Sequence, residues 1–294
     1  MRITHRMIID NAIRSMSDNL DKLGELQTKA SSGKSFTKSS EAPHASRVAL
    51  ALKSHISENS SYLESMSSAE NWLTASNLAL DSLGDLASQA INSALEGISD
   101  TNEDARAVLA VEIDKVIEDA ISEGNTKYGE NYLFSGHQVN TPPFRFVSGV
   151  PDSVAYDGDA GLIQRAVGQD QAVTVNFTSS STISPLFDAM IAARDALLAG
   201  DTTALQSAVD DLRSAKELIS NQSANNGVKI NQLEQNQTYL EETQLSLEGL
   251  LSREEDIDLV EVISELRHQE TIYQSVLQVG QRTLATVNLF DLMK

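Results

Sequence analysis

The chain has 294 residues, a formal net charge of −20, no cysteine and only 5% aromatic residues. That length allows two domains or one elongated one, and the charge disfavours nucleic acid and anionic membranes, which would repel it. Absent cysteine excludes disulfides and thiolate metal sites, and so few aromatics argue against a large small-molecule pocket.

The opening MRITHRMIIDNA is polar every few residues, unlike the apolar core of a Sec signal peptide, and no stretch reaches the length of a membrane span. From Ile9 onward, Ile9, Ile13, Met16, Leu20 and Leu23 recur in steps of four and three, and Gln27 and Ala30 continue the register. This spacing predicts a helix with a narrow apolar seam. Gly33 is suited to close that helix and Pro43 to open the next, with Ser40 as an upstream cap. The nearby Gly33-Lys34-Ser35 is no phosphate loop, because it has one glycine, no preceding strand and no helix start at the lysine.

From about Ala45 to Leu95 the pattern is helical again. Leu63, Met66, Leu73, Leu80, Leu83, Ala87 and Ile91 hold the stripe, and Asn59, Glu70 and Asn77 interrupt it. Such polar interruptions trade stability for register in long coiled coils. Trp72 beside this stripe reads as packing. Gly97 to Asn102 is a turn, with Asp100 or Thr101 as the cap of a further helix through Leu109, Ile113, Val116 and Ile121.

After Gly124 the glycine- and asparagine-rich stretch GNTKYGENYLFSGH marks an exit from helix. Period-two alternation follows at Phe144 and Phe146, Val154 and Tyr156, and Val173, Val175 and Phe177, with turn signals between. This predicts a small insert of short antiparallel strands. Asp157-Gly158-Asp159 lacks the remaining ligands of a calcium loop, so it is expected to be a hairpin turn.

Pro185 opens a helix over Leu186 to Leu198, and Gly200-Asp201-Thr202 starts what is expected to be the longest one. Two seven-residue series interleave through it. One is Leu205, Leu212, Ile219, Asn226, Leu233, Leu240 and Leu247; the other runs from Val209 through Lys216, Ser223, Ile230, Gln237 and Gln244 to Leu251. A helix over 205–251 is about 70 Å long, more than a compact domain of this size spans, so a rod is expected. The series shifts near Glu254, which places a joint there.

Past the joint, Leu259, Ile263, Leu266, Tyr273, Leu277, Leu284 and Val287 form a second narrow stripe, and Leu289 and Phe290 crowd its end. Asp256 or Asp258 is a candidate cap. Met1–Lys34 carries six bases against four acids, and Arg253–Lys294 four bases against eight acids. Pattern and charge both favour pairing the two termini. Two ordinary amphipathic helices on one globular core would also show stripes; narrow stripes at both extreme ends favour a mutual seam.

No catalytic, cofactor-binding or metal-ligating constellation is evident. The five histidines are scattered, and neither a Gly-x-Ser-x-Gly elbow nor a Gly-x-Gly-x-x-Gly loop is present. The acidic run Glu254-Glu255-Asp256-Ile257-Asp258 reads as the charged first turn of the last helix rather than a cation site.

Several segments in order along the chain resemble the bacterial flagellin superfamily. Met1-Arg2-Ile3-Thr4 is similar to a usual start. Ser32-Gly33-Lys34 leading to Ser40-Glu41-Ala42-Pro43 is similar to the family's loop, with Glu41-Ala42 in place of two aspartates. Asn131-Tyr132-Leu133-Phe134-Ser135-Gly136 resembles a segment of the family's hook–filament junction members. Ser252 to Asp258 resembles the start of the last helix, with Glu254 where isoleucine is common, followed by Gln269, Tyr273-Gln274 and a Leu-Phe-Asp-Leu ending.

The resemblance implies a mainly α fold: an elongated helical-bundle rod with paired N- and C-terminal helices and a small antiparallel β insert. Its parts would be a terminal coiled coil (1–40 with 253–294), a helical shaft (41–136 with 185–252) and the insert (137–184). It implies a structural, non-enzymatic subunit, exported through the flagellar type III channel without a cleaved signal. The implied partners are hook-associated protein 1, flagellin, further copies in a helical ring and an export chaperone. Nucleic acid, membrane, cofactor and small-molecule substrate are not among them. The assembly interface would comprise Ile9, Ile13, Met16, Leu20, Leu23, Leu259, Ile263, Leu266, Tyr273, Leu277, Leu284, Val287, Leu289 and Phe290. A filament subunit, an intracellular coiled-coil scaffold and an enzyme with an unrecognised site remain the alternatives.

Overall fold

The computed structural model describes residues 4–99, 102–149 and 152–291, with side chains for residue 7 and residues 10–99, 102–149 and 152–282. The helices are α1 (Thr4–Ser32), α2 (Pro43–Ser99), α3 (Glu103–Gly124), α4 (Ser179–Thr182), α5 (Ser184–Ala199), α6 (Thr202–Glu255) and α7 (Leu259–Asp291). Six short strands lie between α3 and α4: β1 (Lys127–Tyr128), β2 (Asn131–Tyr132), β3 (Phe144–Val147), β4 (Ser153–Tyr156), β5 (Gln164–Gly168) and β6 (Gln171–Thr174). The chain is mainly helical with small antiparallel β elements, as the sequence reading has it. It divides into two compact units, Met1–Glu58 with Thr243–Lys294, and Asn59–Glu242.

Local chemistry sets the helix ends. Gly33 follows α1 at φ 70°, a left-handed conformation that costs glycine nothing, and its N–H bonds the Lys29 carbonyl at 2.9 Å. Pro43 is the first residue of α2, where its missing N–H has no helical partner to lose. The cap of α3 is Asn102, which accepts from the Asp104 N–H at 3.1 Å; Asp100 and Thr101, expected in that role, lie outside the described residues. Glu103 and Asp104 in the first turn suit the positive end of the helix dipole. Gly200 ends α5 in a left-handed turn, and Asp201 then accepts from the Thr203 and Ala204 N–H groups to start α6. Helix α2 has 57 residues and α6 has 54, so the longest helix is the second, not the sixth.

The second unit holds nearly all the buried apolar surface. The α2 stripe supplies Met66, Leu73, Leu80, Leu83 and Ala87, and α6 supplies Leu205, Leu212, Ile219 and Leu233, all buried. Lys216, at a position of the second heptad series, is exposed, and its neighbour Ala215 is buried instead. Trp72 is buried edge-on against Tyr128 with ring centroids 6.0 Å apart, a packing role. Phe144 stacks obliquely on Phe187 and Tyr156, joining the β3–β4 hairpin to α5.

The β elements are three separate two-stranded antiparallel hairpins, β1–β2, β3–β4 and β5–β6, rather than one sheet. Phe134, Phe144, Val167 and Val175 belong to the same core cluster as the helices, so the hairpins share the helical core. The β1–β2 hairpin falls in the stretch that reads as loop. Two residues per strand are too few to show an alternation. Asp157-Gly158-Asp159 is not a hairpin turn but the connection from one hairpin to the next. Asp157 pairs with Arg145, and Asp159 accepts from the His137 and Gly161 N–H groups at 2.7 and 2.8 Å. Those bonds hold the Asp159 carboxyl below its ordinary range.

The junction-like segment at 131–136 has a structural explanation. Leu133 and Phe134 are buried, Phe134 packs on Phe177, and the Phe134 carbonyl lies 3.0 Å from the Tyr156 hydroxyl. The Ser135 carbonyl accepts the Asp159 N–H at 3.1 Å. Gly136 sits at φ 71° against Asp159, where a side chain would collide with that residue's backbone. The segment clips the end of β2 to the hairpins.

One buried charge ties α3, α5 and the β3–β4 loop together. The Arg194 side chain on α5 is largely buried and meets Asp114 and Asp152 at 3.0 Å and Asp195 at 2.7 Å. Arg194→Met keeps the aliphatic length but leaves three neighbouring carboxylates without their cation. The partners are partly solvated, so a loss of about 1–3 kcal/mol is expected. Chemical denaturation of the variant checks this, and an unchanged midpoint would contradict it.

Candidate assembly site on the terminal helices

Helices α1 and α7 pack against each other within the first unit, so the expected pairing of the termini is present. The two run antiparallel. Lys34 lies opposite Asp256, Asn19 opposite Gln269, and a side chain at Gly280 would reach the Met16 sulfur. Gln269 is buried and donates to the Asn19 side-chain oxygen at 2.9 Å and to the Asn19 carbonyl at 3.3 Å. Gly280 is buried, and a Cβ there would meet the Met16 sulfur at 3.4 Å, an ordinary contact.

The covered face differs from the expected one. Ala12, Met16, Asn19, Leu23 and Leu26 are partly covered on α1; on α7 Val262 is buried and Leu266, Tyr273, Val276 and Leu277 are partly covered. Of the fourteen expected interface residues, Met16, Leu23, Leu266, Tyr273 and Leu277 thus lie on the shared face. Ile13 (59% exposed), Leu20 (52%), Leu259 (50%) and Ile263 (41%) do not; they face solvent. Ile9, Leu284, Val287, Leu289 and Phe290 lie outside the residues whose side chains are described. The apolar stripes therefore extend beyond the face that the two helices share. The true face includes Ala12, Asn19, Gln269 and Gly280, whose small size or paired amides fit a close seam. Met7, Val260 and Val279 add to the exposed apolar set. A helix pair with apolar surface on both its inner and outer faces is covered only once on its own.

The two polar stretches that flank these helices meet. Lys34 and Asp256 form an isolated antiparallel bridge, with the Ser35 N–H donating to the Glu255 carbonyl at 2.7 Å and the Ile257 N–H to the Gly33 carbonyl at 3.2 Å. The Lys34 ammonium reaches Asp256 at 2.8 Å, and the Ser252 hydroxyl donates to the other Asp256 oxygen at 2.6 Å. Glu255 is buried and pairs with Lys53 of α2 at 2.8 Å. Past the break, Asp258 accepts from the Val260 and Glu261 N–H groups and caps α7. The acidic run is therefore split between an ion-paired clasp and a helix cap. Among the described residues no cluster suited to a metal ion is present, and no helix is long and apolar enough to cross a membrane.

The hydrogen bond from Lys34, followed by that from Ser252, holds the Asp256 carboxyl below its ordinary value of 3.8. The same Asp256 bond raises the Lys34 ammonium above 10.5. Asp256 thus contributes fully above 3.8, and its contribution fades as pH falls through the lowered value. Lys34 contributes fully below 10.5 and loses its share as pH rises through the raised value. Both side chains are well solvated, so each limb is expected to be under about 1 kcal/mol. In Lys34→Met, thermal melts across pH should lose the Lys34 share of the alkaline limb and keep a reduced acid limb, because Ser252 still bonds Asp256.

Residues 3–139 match the bacterial flagellin N-terminal helical region. This part of the chain is similar to the flagellin N-terminal region, and about two thirds to three quarters of the chain shares the fold of three solved proteins. A Vibrio parahaemolyticus protein assigned as a flagellar hook-associated protein is 18% identical, with a TM-score of 0.65 over 74% of this chain and 100% of that one. FlgL of Bacillus cereus is 19% identical, with a TM-score of 0.60 over 67% of this chain and 97% of that one. FlgL of Xanthomonas campestris is 15% identical, with a TM-score of 0.61 over 68% of this chain and 99% of that one. No curated protein matches the sequence.

Proposed function

We propose that the chain is a structural subunit of the bacterial flagellum acting at the hook–filament junction. It joins hook-associated protein 1 on the hook side to flagellin on the filament side and catalyses no reaction. The observation that carries this reading is the uncovered apolar face of the terminal helix pair, with Ile13, Leu20, Leu259 and Ile263 exposed on an otherwise acidic protein. In this reading neighbouring copies cover that face. The contacts are head-to-tail and do not close on themselves, so copies follow one another along a helical tube. The interface then comprises the fourteen residues from Ile9 to Phe290 named above. Residues 1–40 with 253–294 serve as the assembling part, 41–136 with 185–252 as the shaft and 137–184 as the insert. The subunit leaves the cell by flagellar type III export, held beforehand by an export chaperone.

A filament subunit is the second reading, because the matched N-terminal region is that of flagellins. Electron microscopy of a strain lacking the gene separates the two. Intact hooks that shed flagellin into the medium are the expected result for a junction protein. Hooks with their junction proteins in place but no filament would identify a filament subunit. Finding the protein only in the cytosol, never on sheared flagella, would remove both.

A further inference from the structure

We infer that the α2–α6 pair of the second unit carries a built-in bending point: α6 opens and flexes over residues 220–227, while the packed stretches on either side stay closed. The two helices run antiparallel, with the Ser223 hydroxyl donating to Asp81 at 3.3 Å and the Gln237 amide to Glu70 at 3.3 Å. On α6, Leu205, Val209, Leu212 and Ile219 are buried before this stretch and Leu233 after it; between Ile219 and Leu233 only Asn226 is buried. The run Ser220-Asn221-Gln222-Ser223-Ala224-Asn225-Asn226-Gly227 offers no apolar group larger than a methyl. Its buried amides are not matched across the seam. Asn226 accepts from the Gln222 amide at 3.0 Å, but its own Nδ2 and the Asn77 Oδ1 on α2 have no partner in the chain. An unpaired buried polar group weakens the closed form. Gly84 on α2 and Gly227 on α6 line one groove here, of about 610 Å³, together with Ser220, Ser223 and Ala224. A Cβ at either glycine would meet nothing within 4 Å, and neither has a positive φ, so neither packing nor backbone conformation calls for glycine. Each lowers helix stability relative to alanine. Gly97 of α2 differs, because a side chain there would collide with Leu197. Thin packing, unmatched amides and two unrequired glycines thus coincide at one level of the pair, where local opening costs least. The inference rests on these contacts and does not depend on a flagellar role.

Amide hydrogen exchange on the full chain tests it. The amides of residues 222–231 are expected to exchange about tenfold faster than those of 209–219. Gly84→Ala with Gly227→Ala, which fits without repacking, is expected to slow the amides of 222–231 about fivefold and to leave 209–219 unchanged. Equal rates in the two stretches, exchange that keeps rising through residue 240 as fraying would, or no slowing in the double variant overturns the inference. A second measurement reads the bend itself. Spin labels at Ser207→Cys and Glu241→Cys, both exposed on α6 in a chain with no other cysteine, lie about 50 Å apart along a straight helix. Their distance distribution is expected to be broader, with a shorter mean, when Gly84 and Gly227 are present than when both are alanine. Matching distributions overturn the bending point.

Discussion

Leu233→Asp is expected to cost about 4–5 kcal/mol, enough to unfold much of the second unit at physiological temperature. Leu233 is fully buried on α6, in the cluster that also holds Leu205, Leu212 and Ile219. The substitution removes a buried isobutyl group and puts a carboxylate in its place, and the lysine one turn away, Lys229, already donates to the Thr174 carbonyl at 2.8 Å. Leu240, one heptad further on, is only partly buried, so Leu240→Asp should cost markedly less. Thermal unfolding of both variants checks the order. Equal losses, or an unchanged melting point for Leu233→Asp, would show that the apolar face of α6 is assigned wrongly.

Ile13→Glu combined with Leu20→Glu is expected to have the opposite signature: no loss of stability and a complete loss of assembly. Both side chains are more than half exposed, and glutamate is a good helix former, so the change in melting should stay within about 0.5 kcal/mol. If neighbouring copies cover this face, two carboxylates would be buried without partners in the ring, and the junction would not form. Motility and the protein content of sheared flagella provide the readout. Swimming at the native level with this double variant in place would mean the face is not an interface.

Much of the helical layout is legible from residue pattern alone, and the reasons are local. Gly33, Pro43, Pro185, Gly200 and Asp258 act at helix ends as their chemistry dictates. The heptad positions Leu205 to Leu233 are buried because a seven-residue repeat fixes which face of a long helix meets its neighbour. The hairpins are less legible. Phe144 is buried and Phe146 exposed although both occupy the same side of β3, because only one end of that strand reaches the helices. The terminal helices pair as expected, but the face they share is only partly legible. That face includes the bonded amides of Asn19 and Gln269, residues that carry no hydrophobic signal. The clasp was hidden for another reason: Lys34 and Asp256 are 222 positions apart, and only the folded chain makes them neighbours.

The amide pair of Asn19 and Gln269 has a geometric consequence. Sliding α7 along α1 by a single turn would leave a buried carboxamide facing hydrocarbon, so one alignment of the two helices is strongly preferred over its neighbours. Every molecule then displays Ile13 and Leu20 at the same height relative to Leu259 and Ile263. If copies stack as proposed, this polar contact would present the same surface at every position.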